Sequence, residues 1–304
     1  MGARQGPVRL GAASEGGRLP PVACGDSPRG YLGKDEEARE VPARVWREGW
    51  RAGGRLLAEE VPVALSHDGT TQAVMMATPA DLEEFGLGFS LTEGIAGPGE
   101  ILEVAVVDLG DGIDVQMTLA AGAGARLAAR RRRMAGPVGC GLCGLDSIEA
   151  VLGEVRPVAP GGLRLAPAEV GAAMAALARA QRLHDATRSV HAAGLWRPGA
   201  GLVLAREDVG RHNAVDKLAG AALRAGVPMA GAAVVVTSRV SIDLVQKVAA
   251  MGAAALIAAS APTARAVALA EAAGLTLVGL VRGEGFELFA HPGRVGGREA
   301  VDVV

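Results

Sequence analysis

The sequence predicts an α/β protein whose larger, C-terminal part is layered on a largely parallel core sheet, with a smaller hairpin-containing lobe before it. Three observations lead there. From residue 161 onward, short apolar runs alternate with helical stripes of about ten residues, the pattern of β-α-β units. Between residues 41 and 125, two pairs of apolar runs flank Asp68-Gly69 and Asp111-Gly112, and Asp-Gly supplies the positive φ of a tight turn. Hydrophobic residues are 50% of the 304, enough to fill a core in each part.

Taken in order, residues 1–40 are rich in Gly, Pro and charge without a hydrophobic period, which predicts a disordered tail. Cys24 falls there. Order is expected from near Val41, opening an N-terminal α/β lobe over 41–125. Val61–Leu65 and Ala73–Met76 pair across the first Asp-Gly. Thr78-Pro79-Ala80-Asp81 reads as a helix start with Thr78 as N-cap, followed by Leu82, Phe85 and Phe89 at helical spacing. Ile101–Asp108 and Ile113–Leu119 form the second hairpin. Residues 126–160 carry Arg130–Arg133, the glycine-flanked Cys140 and Cys143, and a short helix around 146–152. The C-terminal α/β domain spans 161–304. Val170, Met174 and Leu177 mark a helix, and Leu202–Ala205 a strand. Asn213 caps a helix closed by Gly226 and Pro228. Ala233–Thr237 and Ala254–Ala258 are buried strands, separated by a helix striped with Val240, Leu244, Val248 and Met251. Pro262 opens a helix that ends before Gly274. Leu275–Val281 is a strand, and Phe286–Ala290 an edge strand.

Composition excludes several classes. Lys+Arg is 31 against Asp+Glu 33, a net charge of -2, which argues against a general nucleic-acid binder. Aromatics at 3% leave few base-stacking platforms. Lysine occurs only at Lys34, Lys217 and Lys247 in a chain rich in Ala, Gly and Arg, which reads as a composition bias. No signal-peptide pattern opens the sequence, and no run approaches the roughly 18 apolar residues of a membrane span. A soluble, cytoplasmic protein in a reducing compartment is therefore expected. There, a C-x-x-C binds metal, does redox work or acts as a nucleophile.

Three places could carry chemistry. In Gly139-Cys140-Gly141-Leu142-Cys143-Gly144 the glycines allow bulky sulfur donors to approach, and Arg130–Arg133 upstream would favour the thiolate. Half of a zinc site, completed by His191 and His212, and an inert surface loop are the other readings. The H-x-E of zinc deaminases is missing, since the only upstream histidine, His67, precedes Asp68-Gly69. The second place is Arg206–Lys217, with Arg206, Arg211 and His212, where a strand's carboxyl end runs into a helix. That density suits a phosphate or another anion, against a capped helix with solvated ion pairs. The third is Leu280, Val281, Arg282, Gly283, Glu284 and Gly285, an arginine among close-approach glycines, or a plain turn into an edge strand. His191 alone reads as a structural histidine.

Together these segments resemble the FdhD family, the sulfurtransferases required for formate dehydrogenase activity. The resemblance covers roughly residues 58–295. It rests on Thr78-Pro79 with Leu87-Gly88-Phe89 and Thr92-Glu93-Gly94-Ile95, on the Cys140/Cys143 motif, and on His191-Ala192-Ala193. Arg206–Lys217, Ser238-Arg239-Val240-Ser241 with Leu244-Val245-Gln246-Lys247, and Ser260-Ala261-Pro262 complete it. Ala77 stands where many relatives have Arg. The resemblance implies that a cysteine desulfurase passes a persulfide to Cys140, with Cys143 assisting. The sulfur then goes to molybdenum bis(molybdopterin guanine dinucleotide), a cargo rather than a resident cofactor, before its insertion into formate dehydrogenase. It also implies that Leu280–Gly285 binds that cargo with Arg206, Arg211 and His212 close by. Homodimerisation and a cytidine deaminase-like α/β/α sandwich without a zinc set are implied too. A cofactor chaperone without sulfur transfer and a zinc-dependent deaminase-like hydrolase are the alternatives.

Overall fold

A computed structural model describes residues 8–9, 37–131, 156–160 and 162–296. The first half runs β1 (Val8–Arg9), β2 (Ala38–Trp46), β3 (Trp50–Ala58), β4 (Val61–His67), β5 (Thr70–Ala77), α1 (Leu82–Thr92), β6 (Ile101–Asp108), β7 (Ile113–Leu119) and α2 (Ala121–Arg131). The second half runs α3 (Pro167–Ala180), α4 (Arg182–Thr187), β8 (His191–Arg197), β9 (Gly201–Asp208), α5 (Arg211–Arg224), β10 (Ala233–Val236) and α6 (Ile242–Ala250). β11 (Ala255–Ala258), α7 (Ala264–Ala273), β12 (Thr276–Arg282) and β13 (Gly285–Ala290) complete it. The expected tail is ordered where it is described: Val8–Arg9 pairs with β6 as β1, and β2 begins at Ala38 rather than near Val41. The rest of the tail, the Cys140/Cys143 loop and the helix expected at 146–152 lie outside the described residues. Among the described residues no helix is long and apolar enough to cross a membrane.

Both hairpins form, in one five-stranded sheet of order β1-β6-β7-β4-β5, but the second takes its positive φ at Gly110 (φ 84°) rather than at Asp111-Gly112. Asp68 (φ 47°) and Gly69 (φ 72°) supply the turn between β4 and β5. Alternate residues of β4 and β7, Val63, Leu65, Val115 and Met117, are buried. Gly86 of α1 faces this layer so closely that a Cβ there would sit 2.6 Å from Met117 Sδ. The opposite side of α1 crosses α5 backbone to backbone. A Cβ at Gly88 would stand 1.7 Å from the Asp216 carbonyl oxygen, and one at Gly220 1.8 Å from that of Glu84. These two glycines weld the halves of the chain together.

The second sheet has six strands in the order β13-β12-β11-β10-β8-β9. α5, α6 and α7 touch in sequence on one face, and α3 spans the other. The interior divides into two apolar clusters, one under α1 and the first sheet, the other around the second sheet.

Several expectations need correction. Pro262 does not open α7, which starts at Ala264 behind its cap Thr263, and Val240 lies before the α6 cap Ser241 and bridges Pro262 instead, while Met251 is the α6 C-cap. The parallel core is confined to β10–β11–β12, while β8, β9 and β13 join it antiparallel, so the sheet is mixed. The reason is connection length: β8–β9 and β12–β13 are joined by tight turns, which can only reverse the chain. Thr78 does not cap α1; the helix starts at Leu82 after Asp81, and Thr78 is used elsewhere. Asn213 is not a cap either. α5 begins at Arg211 behind Gly210, which places Asn213 inside its first turn.

Candidate functional site at the carboxyl edge of the second sheet

Strand direction decides which residues meet. β9, β10, β11 and β12 all end at the same edge, and antiparallel β8 begins there, so His191 pairs with Asp208. α5, α6 and α7 leave that edge, so the unpaired amides of three helix N-termini face it. Chains of this layout bind ligands at such an edge.

At the β9 end the turn into α5 is fixed by charge. Asp208 is fully buried and lies 2.6 Å from the equally buried Lys217 Nζ. It also accepts from Thr78 N at 3.0 Å, Gly210 N at 2.7 Å and Asn213 Nδ2 at 2.9 Å. Four donors thus fill its lone pairs. Thr78 Oγ accepts from Val209 N at 3.1 Å, Thr78 O from Lys217 Nζ at 2.9 Å, and Met76 O from Asn213 Nδ2 at 2.9 Å. The β5–α1 turn of the N-terminal half therefore shapes the turn that presents Arg211 and His212.

The sequence-predicted residues separate here. Arg206 is buried and points to α1, where it forks onto Glu84 at 2.5 and 2.9 Å. Arg211 and His212 are half-buried at the start of α5. Arg211 Nε is buried with no hydrogen-bond partner among the described residues. His212 Nε2 lies 2.5 Å from Asp243 Oδ2 of α6, and Ser241 Oγ donates to the same carboxylate. The His212 hydrogen bond holds the Asp243 carboxyl well below the usual range. Burial, and then the Arg211 charge, push the His191 imidazole below its ordinary value. One layer deeper, Lys247 of α6 bridges Asp216 at 2.9 and 3.0 Å and Glu93 at 2.8 Å. Burial alone would lower its pKa, but the two carboxylates outweigh burial and raise it.

At the β12 end the chain is shaped by backbone alone. Leu280 sits at φ 55°, in the left-handed region, inside a register shift between Gly279 and Arg282. Its amide donates to Ser260 O at 3.3 Å. Val281 is buried, and Arg282, Gly283, Glu284 and Gly285 are exposed. A Cβ at Gly171 of α3 would fall 2.4 Å from the Gly283 carbonyl oxygen, so α3 seats this turn from below. From β12 to β9 are four strand spacings, or about 19 Å along the edge at ~4.8 Å each.

Cys140 and Cys143 lie outside the described residues, as do the side chains of Arg130–Arg133. Among the described residues no three His, Cys, Asp or Glu side chains gather as a metal site. Sequence reasoning missed Glu84, Asp243, Thr78 as a backbone partner, and Lys247. The scarcity of lysine was the available signal. In a chain that otherwise uses arginine, Lys217 and Lys247 both occupy buried ion pairs, each with its Nζ over a phenylalanine ring.

Residues 58–296 match the FdhD/NarQ family. The chain is similar to the sulfur carrier protein FdhD of Agrobacterium fabrum, 51% identical over 84% of this chain and 96% of the relative. It is 47% identical to the protein of the same name from Cupriavidus necator, over 81% of this chain and 87% of the relative. Its fold is similar to a crystal structure assigned as a formate dehydrogenase accessory protein from Desulfotalea psychrophila. That match has TM-score 0.67 and 26% identity, over 85% of this chain and 99% of the other.

Proposed function

This chain belongs to the FdhD/NarQ family, and from that premise we propose that it is a sulfurtransferase. It takes persulfide sulfur from a cysteine desulfurase and passes it to molybdenum bis(molybdopterin guanine dinucleotide), which then serves formate dehydrogenase. The observation that carries this reading is the length and make-up of the carboxyl edge. Three helix N-termini, the unpartnered Arg211 Nε and the exposed Arg282 line about 19 Å, the reach of an extended polyanion rather than a single phosphate. Leu280–Gly285 grips one end of the cargo, and Arg211 and His212 the other. Arg206, turned to Glu84, acts from behind by fixing the end of β9 against α1.

The sulfur step is an exchange. The Cys140 thiolate attacks the outer sulfur of the desulfurase persulfide, and the donor's S–S bond breaks. Cys140 becomes the persulfide, and the donor leaves as a thiolate that takes up the proton Cys140 gave up. No oxidant is consumed. Cys143 assists the onward transfer, and Arg130–Arg133 favour the thiolate. The same reading places the protein in the cytoplasm as a homodimer, and divides the chain into a tail to 40, a lobe over 41–125, an active loop over 126–160 and a domain from 161. The two apolar clusters support that division, and helices on both faces of the second sheet support a deaminase-like α/β/α layering.

Mass spectrometry after incubation with desulfurase and cysteine tests it. One added sulfur is expected on the peptide bearing Cys140, and Cys140→Ala should lose both that label and formate dehydrogenase activation. Full activation by Cys140→Ala would overturn the reading.

A further inference from the structure

One carboxylate at the carboxyl edge has the wrong sign for an anion site. Asp243 is the second residue of α6, behind the cap Ser241, and α6 is one of the three helices whose N-termini face the edge. An acid in a first turn suits the helix dipole, but beside a polyanion it repels what the edge would hold. The neighbouring carboxylates are committed elsewhere. Asp208 carries Lys217, Glu207 accepts from the amides of Leu183 and His184 at 2.8 Å each, and Asp216 and Glu93 hold Lys247. Asp243 is committed to a histidine. Its Oδ2 lies 2.5 Å from His212 Nε2 and accepts from Ser241 Oγ at 3.0 Å. That histidine follows Arg211 in the first turn of α5, and Arg211 Nε is buried without a partner among the described residues. His212 Nε2 is buried too, while 26% of the side chain stays exposed. The ring thus turns Nε2 to Asp243 and leaves its far side, which bears Nδ1, to the edge. The depressed Asp243 pKa agrees, since its leading cause is the His212 contact rather than the helix amides.

We propose that Asp243 is a positioning residue for anion binding: it holds the His212 ring by Nε2 so that Nδ1 meets a phosphate beside Arg211, and it shares the ring's charge once the phosphate arrives. The bound imidazolium then stands between two anions, with one N–H for each. A ring that is neutral before binding takes up one proton from solvent, at Nδ1, and no other bond is made or broken. The other charges felt in this corner are those of Arg211, His191 and His184, with Asp208 behind them. Because Asp208 is spent on Lys217, His212 draws its carboxylate from α6. The inference deepens the reading of this edge as a polyanion site and rests on it.

The sign of one substitution tests it. The probe is a dinucleoside pyrophosphate, whose two phosphates stay ionised on either side of neutrality, titrated into the full chain at about pH 7. Charge alone predicts that Asp243→Asn tightens binding of an anion. The proposal predicts weakening by about threefold to tenfold, with Asp243→Glu within about threefold of wild type. In a His212→Gln background the same Asp243→Asn should instead tighten binding, since only repulsion is left to remove. Lowering the pH to about 5.5 should close the gap between Asp243→Asn and wild type, because the ring then gains its proton unaided. Nitrogen NMR of the His212 side chain should show both nitrogens protonated in the bound wild type. His191→Gln should leave the Asp243→Asn effect in place, which separates the two histidines. Tightening by Asp243→Asn in the otherwise native chain, equal weakening with and without His212, or a bound His212 ring with a bare nitrogen would each overturn the proposal. A wild type that does not bind the probe would remove the proposal and the polyanion edge together. If sulfur labelling of Cys140 fails while these signs hold, the sulfur-carrier reading alone is lost.

Discussion

At the β9 end of the carboxyl edge, the turn into α5 is held by buried charges that come from the other half of the chain. At the β12 end, the Leu280–Gly285 turn is held by backbone packing and stays exposed. The difference is one of what each end tolerates. A turn fixed by a carboxylate with four donors is rigid while every donor is present, and fails when one is removed. A turn fixed by the absence of a Cβ is indifferent to charge and sensitive to volume. The first end holds a position, and the second offers groups to a ligand.

The largest break in that contrast should come from Lys217→Met. It leaves Asp208 buried and without its cation, at a cost of about 3–5 kcal/mol in urea unfolding. Adding Asp208→Asn should recover much of the loss, because no lone charge then remains. A cost for Lys217→Met no greater than that of an exposed substitution would dissolve the contrast. Gly88→Ala and Gly171→Ala come next, at about 1–3 kcal/mol each from overpacking. They should differ in reach: hydrogen exchange should rise across α1 and α5 for the first, and around Gly283 for the second. Arg282→Ala should leave stability within about 0.5 kcal/mol. It should weaken binding of the molybdopterin dinucleotide cargo by about tenfold, measured by equilibrium titration.

The smallest effect is in pH. The His191 pKa in the fold lies below the unfolded value near 6.5, so the unfolded chain takes up the proton first as pH falls. His191 therefore contributes a stability loss that begins near pH 6.5 and grows down to its folded pKa. His191→Gln should flatten unfolding curves over that interval. By NMR, the His191 ring should titrate below the usual histidine value and move upward when an anion neutralises Arg211.

The legible parts of the fold were those with local causes. Asp68-Gly69 specified the first hairpin through its own φ preferences, whereas the second turns with positive φ at Gly110 rather than at Asp111-Gly112; Leu244 and Val248 marked α6, while Val240 falls before its cap Ser241. Strand direction was less legible, because it depends on what each turn joins. β8, His191-Ala-Ala-Gly-Leu-Trp-Arg, has no alternation to announce it, being buried on both faces through its middle. β2 and β3 mix glycine and arginine into an exposed ribbon and give no apolar period. At the site, the density of Arg206–Lys217 was visible, but its partners were not. Glu84 and Thr78 lie more than a hundred residues upstream, and nothing local to Arg206 or Asp208 names them.

That separation has a consequence for how the molecule is made. Thr78 and Asp208 are 130 positions apart, and the bond between them belongs to the turn that presents Arg211 and His212. Contacts so distant along the chain close late in folding, after each half has collapsed on its own apolar residues. A chain emerging from the ribosome completes the first hairpin sheet well before β9 exists. The carboxyl edge is therefore finished only after most of the polypeptide has been translated, and a nascent chain has no edge with which to seize a scarce, unstable cargo prematurely.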